Sequence, residues 1–183
     1  MYTVFVAGHA TGHPSPGGYG IVLTLRGMPT WEQDGLLAST SPHEAGLIAV
    51  REALRAVPER TQPEIVTGSR LVRRLVGGEQ HPRKPELVQV LREIRDLTRL
   101  RRLQVRVTQT GPGTMEHLAR AQTLAETATA RARRSANSPA CPKCGDRMSV
   151  KEVRSGRHRG SRIWGCTNFP DCQGMILLYE AQD

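Results

Sequence analysis

Residues 1–140 contain no cysteine; the four in the chain are Cys141, Cys144, Cys166 and Cys172. A disulfide framework is therefore excluded for the larger part of the chain, as expected of a protein kept in a reducing compartment. Lysine is almost missing as well, with only Lys84, Lys143 and Lys151 among 26 basic residues. Aromatic residues make up 4% and apolar residues 38%, so any core must be aliphatic. No apolar run approaches the ~20 residues of a membrane-crossing helix, which excludes a helical membrane protein. The opening segment, MYTVFVAGHATGH, has neither the basic stretch nor the apolar run of a secretory leader, so a cytoplasmic protein is expected.

What the chain has in excess is positive charge. Against 26 basic residues stand 17 acidic ones, a net +9, and this imbalance points to a polyanionic partner. GC-rich coding also favours arginine, so the Arg:Lys ratio says less than the net charge does. Residues 1–135 hold 19 basic and 12 acidic residues, a net +7, and the remainder holds 7 and 5, a net +2. A length of 183 residues suits one domain of ~130 residues plus a small module, and a small module needs a staple to fold.

The pattern along the chain predicts strands over 2–7, 19–26 and 30–38, with a Gly/Pro-rich turn over 9–18 and a hairpin turn over 26–29. Ser41-Pro42-His43-Glu44 reads as a capping box with proline at the first helical position. Leu47, Val50, Leu54 and Val57 then recur at helical spacing. A strand over 64–67, a basic helix over 69–76, a helix over 85–100, a strand over 103–108 and an Ala-rich helix over 115–134 follow. Residues 135–140, SANSPA, read as a linker between a domain at 1–134 and a module at 141–183. The order β-β-β-α-β-α-α-β-α predicts an α/β fold: a five-stranded mixed sheet with helices on both faces.

Local sequence gives that order a family. Val6-Ala7-Gly8 followed by Gly12-His13-Pro14-Ser15-Pro16-Gly17-Gly18-Tyr19-Gly20 resembles the first strand and turn of ribonucleases H over a match spanning about residues 2–134. The resemblance implies a ribonuclease H-like fold and a nucleic-acid groove. Family members hydrolyse with two metal ions held by four carboxylates. Carried over one at a time, those positions fall on Ala7, Gly46, Gly68 and Gln122, and the family's loop histidine falls in Gly111-Pro112. Alanine and glycine have no donor atom, and a neutral amide is a weak ligand for a hard cation. The resemblance thus implies the fold without the family's activity. His9, His13, His43, Glu44, Glu116 and His117 border these positions and offer an alternative donor set for Mn²⁺ or Zn²⁺ in a divergent nuclease; read more simply, they are turn and helix-start residues.

Removing four carboxylates favours metal-free phosphate binding. The basic candidates in this part are Arg70, Arg73, Arg74, Arg83 and Lys84, followed by Arg92, Arg95, Arg99, Arg101 and Arg102.

In the tail, Cys141-Pro-Lys-Cys144-Gly and Cys166-Thr-Asn-Phe-Pro-Asp-Cys172 offer four thiolates to one tetrahedral Zn²⁺. With Gly160-Ser-Arg-Ile-Trp-Gly165 before the second pair, the pattern resembles the C-terminal zinc ribbons of type IA bacterial topoisomerases. That resemblance implies one structural zinc and single-stranded DNA binding, with Trp164 and Phe169 for stacking and Lys151, Arg154, Arg157, Arg159 and Arg162 for phosphates. The expectation is a non-catalytic binder of single-stranded or branched DNA in repair, recombination or replication. DNA is preferred over RNA, the setting is a bacterial nucleoid, and a DNA-processing protein is a further partner. The rival to these binding readings, besides the nuclease, is a zinc-ribbon adaptor for another protein.

Overall fold

A computed structural model describes residues 1–12, 14–111, 113–136, 138–154 and 159–177. His13, Pro112 and Arg157 lie outside the described residues. The chain divides into two compact units, Met1–Arg133 and Arg134–Asp183.

In the first unit, strands β1 (Tyr2–Ala10), β2 (Ser15–Leu25) and β3 (Met28–Thr40) form an antiparallel run. Strands β4 (Glu64–Thr67) and β5 (Arg106–Gln109) add in parallel, giving the order β3-β2-β1-β4-β5. Helices α1 (Pro42–Ala56), α2 (Arg70–Val76) and α3 (Pro85–Leu100) pack with the sheet around one aliphatic core. That core holds Val4, Val6, Ile21, Leu47, Val50, Leu54 and Ile65, all fully buried. The alternate residues Phe5, Val22 and Val66 point to the other face, where Leu118 and Ala121 of α4 (Met115–Ala136) cover them. One strand thus feeds two layers, as the period of two requires.

Three boundaries differ from the sequence reading, each for a tertiary reason. The Gly/Pro stretch at 9–18 is mostly strand, because β1 runs to Ala10 and β2 begins at Ser15. Its glycines serve contact: a Cβ on Gly18 would lie 2.5 Å from Ala128 Cβ, and one on Gly20 would lie 2.1 Å from the Ala121 carbonyl oxygen. Helix α4 therefore rests directly on the β2 backbone. The β2–β3 turn is tighter than the one expected over 26–29, since only Arg26 and Gly27 turn, with φ of 54° and 82°. Two consecutive positive φ values match the twist of the paired strands. The last strand starts at Arg106 rather than 103, because Leu103 bonds back to Thr98 and completes the exit from α3.

Two caps fix the helices that frame the strand ends. Ser41 Oγ accepts from the Glu44 N–H at 3.3 Å, and Pro42 occupies the first turn of α1. Glu44 does not close the box; its carboxylate accepts from Thr40 Oγ1 at 3.0 Å. Ser69 caps α2 by accepting from the Val72 N–H. At the far end of α1, Arg101 Nη1 donates to the Leu54 and Arg55 carbonyls, a cation on a helix C-terminus.

The second unit holds the antiparallel sheet β6 (Met148–Glu152), β7 (Arg162–Cys166) and β8 (Met175–Leu177) in that order. The segment read as a linker has structure at both ends. Ser135 and Ala136 belong to α4, and Ser138 Oγ accepts from the Met148 N–H at 2.9 Å. No helix is long and apolar enough among the described residues to cross a membrane.

Candidate nucleic-acid interface and cysteine centre

The C-terminal ends of β1 and β4 lie side by side, with Val6 opposite Thr67. Ala7 and Gly68 follow directly. Ala7 is half-buried against the small apolar cluster under α4. A Cβ on Gly68 would meet Leu118 Cδ2 at 3.5 Å and Gln122 Nε2 at 3.7 Å, so Gly68 and Gln122 face one another. Gly46 sits against β1, its N–H only 2.2 Å from where a Cβ on Gly8 would be. A Cβ on Gly46 itself would come within 2.9 Å of Val72 Cγ2. The space that an acid at 46 would enter is occupied by a valine of α2. The four residues standing where the carboxylates were expected thus supply methyl, hydrogen and one neutral amide.

The alternative histidine and glutamate donors are dispersed. His9 Nδ1 lies 3.2 Å from Thr129 Oγ1. His117 packs its ring against Phe5, with centroids 5.1 Å apart. Glu44 is bonded to Thr40, and Glu116 lies exposed in the first turn of α4. Among the described residues, the one group of three or more His, Cys, Asp or Glu able to share an ion is the cysteine cluster.

Basic groups gather around the same end of the sheet. Arg70 and Arg74 are exposed on α2, without an ion-pair partner among the described residues. Arg73 is not free: Nη1 and Nη2 donate to the Glu79 carboxylate at 2.6 and 2.8 Å, and the Arg73 guanidinium draws the Glu79 carboxyl below its usual range. Arg83 and Lys84 are exposed at the start of α3. They line a cavity of about 380 Å³ shared with His43, His81 and the Ser41-Pro42 start of α1. Sequence reading missed His81. Its signal was weak, since nothing in the local pattern shows that the loop after α2 returns to the start of α1.

In the second unit the four cysteine sulfurs all lie within 4.8 Å of one another. Cys141 Sγ is 3.7 Å from Cys172 Sγ, and Cys144 Sγ is 3.5 Å from Cys166 Sγ. Thiolates bound at ~2.3 Å around a tetrahedral ion are about 3.8 Å apart, so the spacing fits one metal. Gly145, with φ of 77°, makes the turn that returns the chain after Cys144. The Lys143 and Cys144 N–H groups aimed at Cys141 bring its thiol down to about 7. The Asp146 N–H favours the Cys144 thiolate too, yet the neighbouring sulfurs of Cys172 and Cys166 prevail and push that thiol up to about 12. The Cys166 thiol is raised as well: the Asn168 N–H favours its thiolate, and burial among the other sulfurs outweighs that bond. Gly174, which sequence reading missed, is packed against this centre: a Cβ there would fall 2.1 Å from Cys141 Sγ.

The two aromatic candidates separate. Trp164 is half-buried and packs with Cys141, Met148, Cys166 and Ile176. Phe169 is 64% exposed. Lys151 Nζ donates to the Cys166 carbonyl at 2.9 Å and sits 5.5 Å from the Phe169 ring centroid, so this lysine is tied to its own unit. Arg154, Arg159 and Arg162 are exposed.

Solved structures share the first unit. The fold is ribonuclease H-like. The N-terminal ribonuclease H domain of Rv2228c from Mycobacterium tuberculosis superposes with a TM-score of 0.64 at 18% identity, covering 74% of this chain and 97% of its own. LC11-RNase H1, solved in complex with an RNA/DNA hybrid, gives 0.62 at 23% identity, covering 73% and 99%. RNase H1 from the halophilic archaeon Halobacterium salinarum gives 0.61 at 22%, covering 71% and 98%. No protein-family model and no curated protein matches the chain. At these identities the likeness extends to the ribonuclease H-like fold, and the chemistry must be read from the residues present.

Proposed function

We propose that this protein binds nucleic acid without cleaving it, using a basic ribonuclease H-like unit and a zinc ribbon to bind single-stranded or branched DNA. One observation carries the reading. The positions where this fold is expected to gather four carboxylates bear Ala7 and Gly68 at the ends of β1 and β4, Gly46 on α1 and Gln122 on α4, and Val72 fills the space beside position 46. A two-metal site needs anionic oxygen donors, and these residues supply none.

The surrounding surface supports binding. Arg70, Arg74, Arg83 and Lys84 are exposed near the same strand ends, the last two lining a cavity edged by two histidines. With the carboxylates gone, phosphates approach without a metal to offset repulsion. LC11-RNase H1, which shares the fold, was solved with an RNA/DNA hybrid, so a hybrid belongs in the test. DNA is the preferred ligand because of the ribbon's resemblance to those of DNA topoisomerases. The cysteine centre holds one structural zinc, which organises a unit too small to fold on apolar burial alone. Phe169, exposed and sharing a cavity with Arg154, is the stacking residue. Two weak sites on one chain reinforce each other through effective concentration. The setting is DNA repair, recombination or replication in a bacterial nucleoid.

Gel shifts with single-stranded, duplex, hybrid and forked oligonucleotides, each with EDTA or with Mg²⁺ and Mn²⁺, test this. Binding that persists in EDTA with every strand intact is expected. Cleavage dependent on a divalent ion would establish a nuclease instead, and no shift at ~0.15 M salt would leave the adaptor reading.

A further inference from the structure

At the opposite end of the sheet, away from the replaced carboxylates, lies a groove of about 490 Å³ between the C-terminal half of α3 and the approach to β5. Its floor is aliphatic: Val76, Ile94, Leu103 and Val105 line it. Its rim carries Arg95, Arg99 and Arg102, all exposed and without an ion-pair partner among the described residues. No aromatic side chain lines it.

The groove also borders an open sheet edge. β5 is the last strand in the order. Gln104 and Arg106 donate inward, to the Thr61 and Pro63 carbonyls at 3.0 and 3.1 Å. By the alternation of a parallel strand, the backbone N–H and C=O of Val105 between them face outward. We infer that this edge is a docking site for an acidic segment with aliphatic side chains, which lies extended beside Val105. Its carboxylates meet the arginine rim and its aliphatic side chains the floor.

Charge complementarity and the nature of the floor choose this occupant over nucleic acid. A phosphodiester backbone satisfies arginines but has no aliphatic group for the half-buried Val76 and Val105, and a base needs a ring to stack on. An extended peptide meets all three features at once, with backbone bonds giving affinity and alternate side chains giving selectivity. The site is separate from the proposed DNA face, so it stands or falls independently of that reading.

The test uses the full zinc-loaded chain and a fluorescein-labelled octapeptide in which acidic residues alternate with leucine and isoleucine. Fluorescence anisotropy at ~0.15 M salt should show saturable binding, at least tenfold tighter than that of a peptide with serine for each aliphatic residue. Arg95→Glu with Arg99→Glu should weaken it at least tenfold while lowering the melting temperature by no more than a few degrees, because both side chains are exposed and only Arg99, in the last turn of α3, touches the helix dipole. N-methylation of alternate peptide nitrogens should weaken it similarly. Equal binding of the serine peptide, an unaffected double variant, indifference to N-methylation, or displacement of the peptide by oligo-dT would each overturn the proposal; the last would assign the groove to nucleic acid.

Discussion

Gly174→Ala should weaken zinc binding at the cysteine centre, although the substitution replaces none of the four cysteines. The added methyl carbon would lie 2.1 Å from Cys141 Sγ. Ordinary carbon contacts sit near ~3.7 Å, an overlap of about 1.5 Å. Metal–ligand distances tolerate ~0.2 Å. The backbone has little room to retreat, since the Gly174 carbonyl accepts from the Cys166 N–H at 2.9 Å and Met175 pairs with Gly165. Moving Gly174 therefore displaces a second cysteine. Structural zinc sites contribute ~10–16 kcal/mol, so losing one ligand in four costs about 3 kcal/mol, roughly a hundredfold in affinity. Competition with a chromophoric chelator measures that affinity, and elemental analysis measures the stoichiometry, expected to be one zinc per parent chain. Gly111→Ala is the control, because no atom lies within 4 Å of its would-be Cβ. If Gly174→Ala binds zinc as tightly as the parent, the close contact at Cys141 is not a constraint on the centre and this reasoning fails.

Arg70→Ala with Arg74→Ala should reduce the slope of log affinity against log salt by about 2, one unit for each lost phosphate contact; an unchanged slope in a salt titration moves the binding face elsewhere. Arg73→Ala should change it little, since Glu79 already engages that guanidinium. Gly20→Ala places a methyl 2.1 Å from the Ala121 carbonyl oxygen. It should cost about 3 kcal/mol or more in urea unfolding of the first unit, the upper part of the range for overpacking; a loss below ~1 kcal/mol would show that α4 lifts off β2 easily. Arg120 donates to Glu32 and Arg51 to Glu93, and each carboxyl titrates below its ordinary value for that reason. A depressed carboxyl stabilises the fold above its unfolded pKa and loses that contribution as pH falls through the folded value. Melting temperature should therefore drop below about pH 4.5, modestly for such exposed pairs. Arg120→Gln should flatten part of that drop in an acid titration; an identical profile would show that the Glu32 pair carries none of it.

Much of this molecule is written locally in the chain. The α1 stripe, the Ser41-Pro42 start, the β4 run and the paired cysteines need only neighbours a few residues apart, because helix period, capping and metal-ligand spacing are short-range properties. The residue types at the four positions where the resemblance placed carboxylates were equally readable, since a missing donor atom is a fact of residue type. Three-dimensional packing decided the rest. That Gly18 and Gly20 lie under a helix more than 100 residues away and that Val72 closes the space beside Gly46 are contacts between separate elements, invisible to any local pattern. So too with the aromatics. Sequence offered both Trp164 and Phe169 for stacking, with packing against the cysteine knuckle as the alternative for Trp164, and only the closure of β7 around the cysteines half-buried the tryptophan and left the phenylalanine facing water.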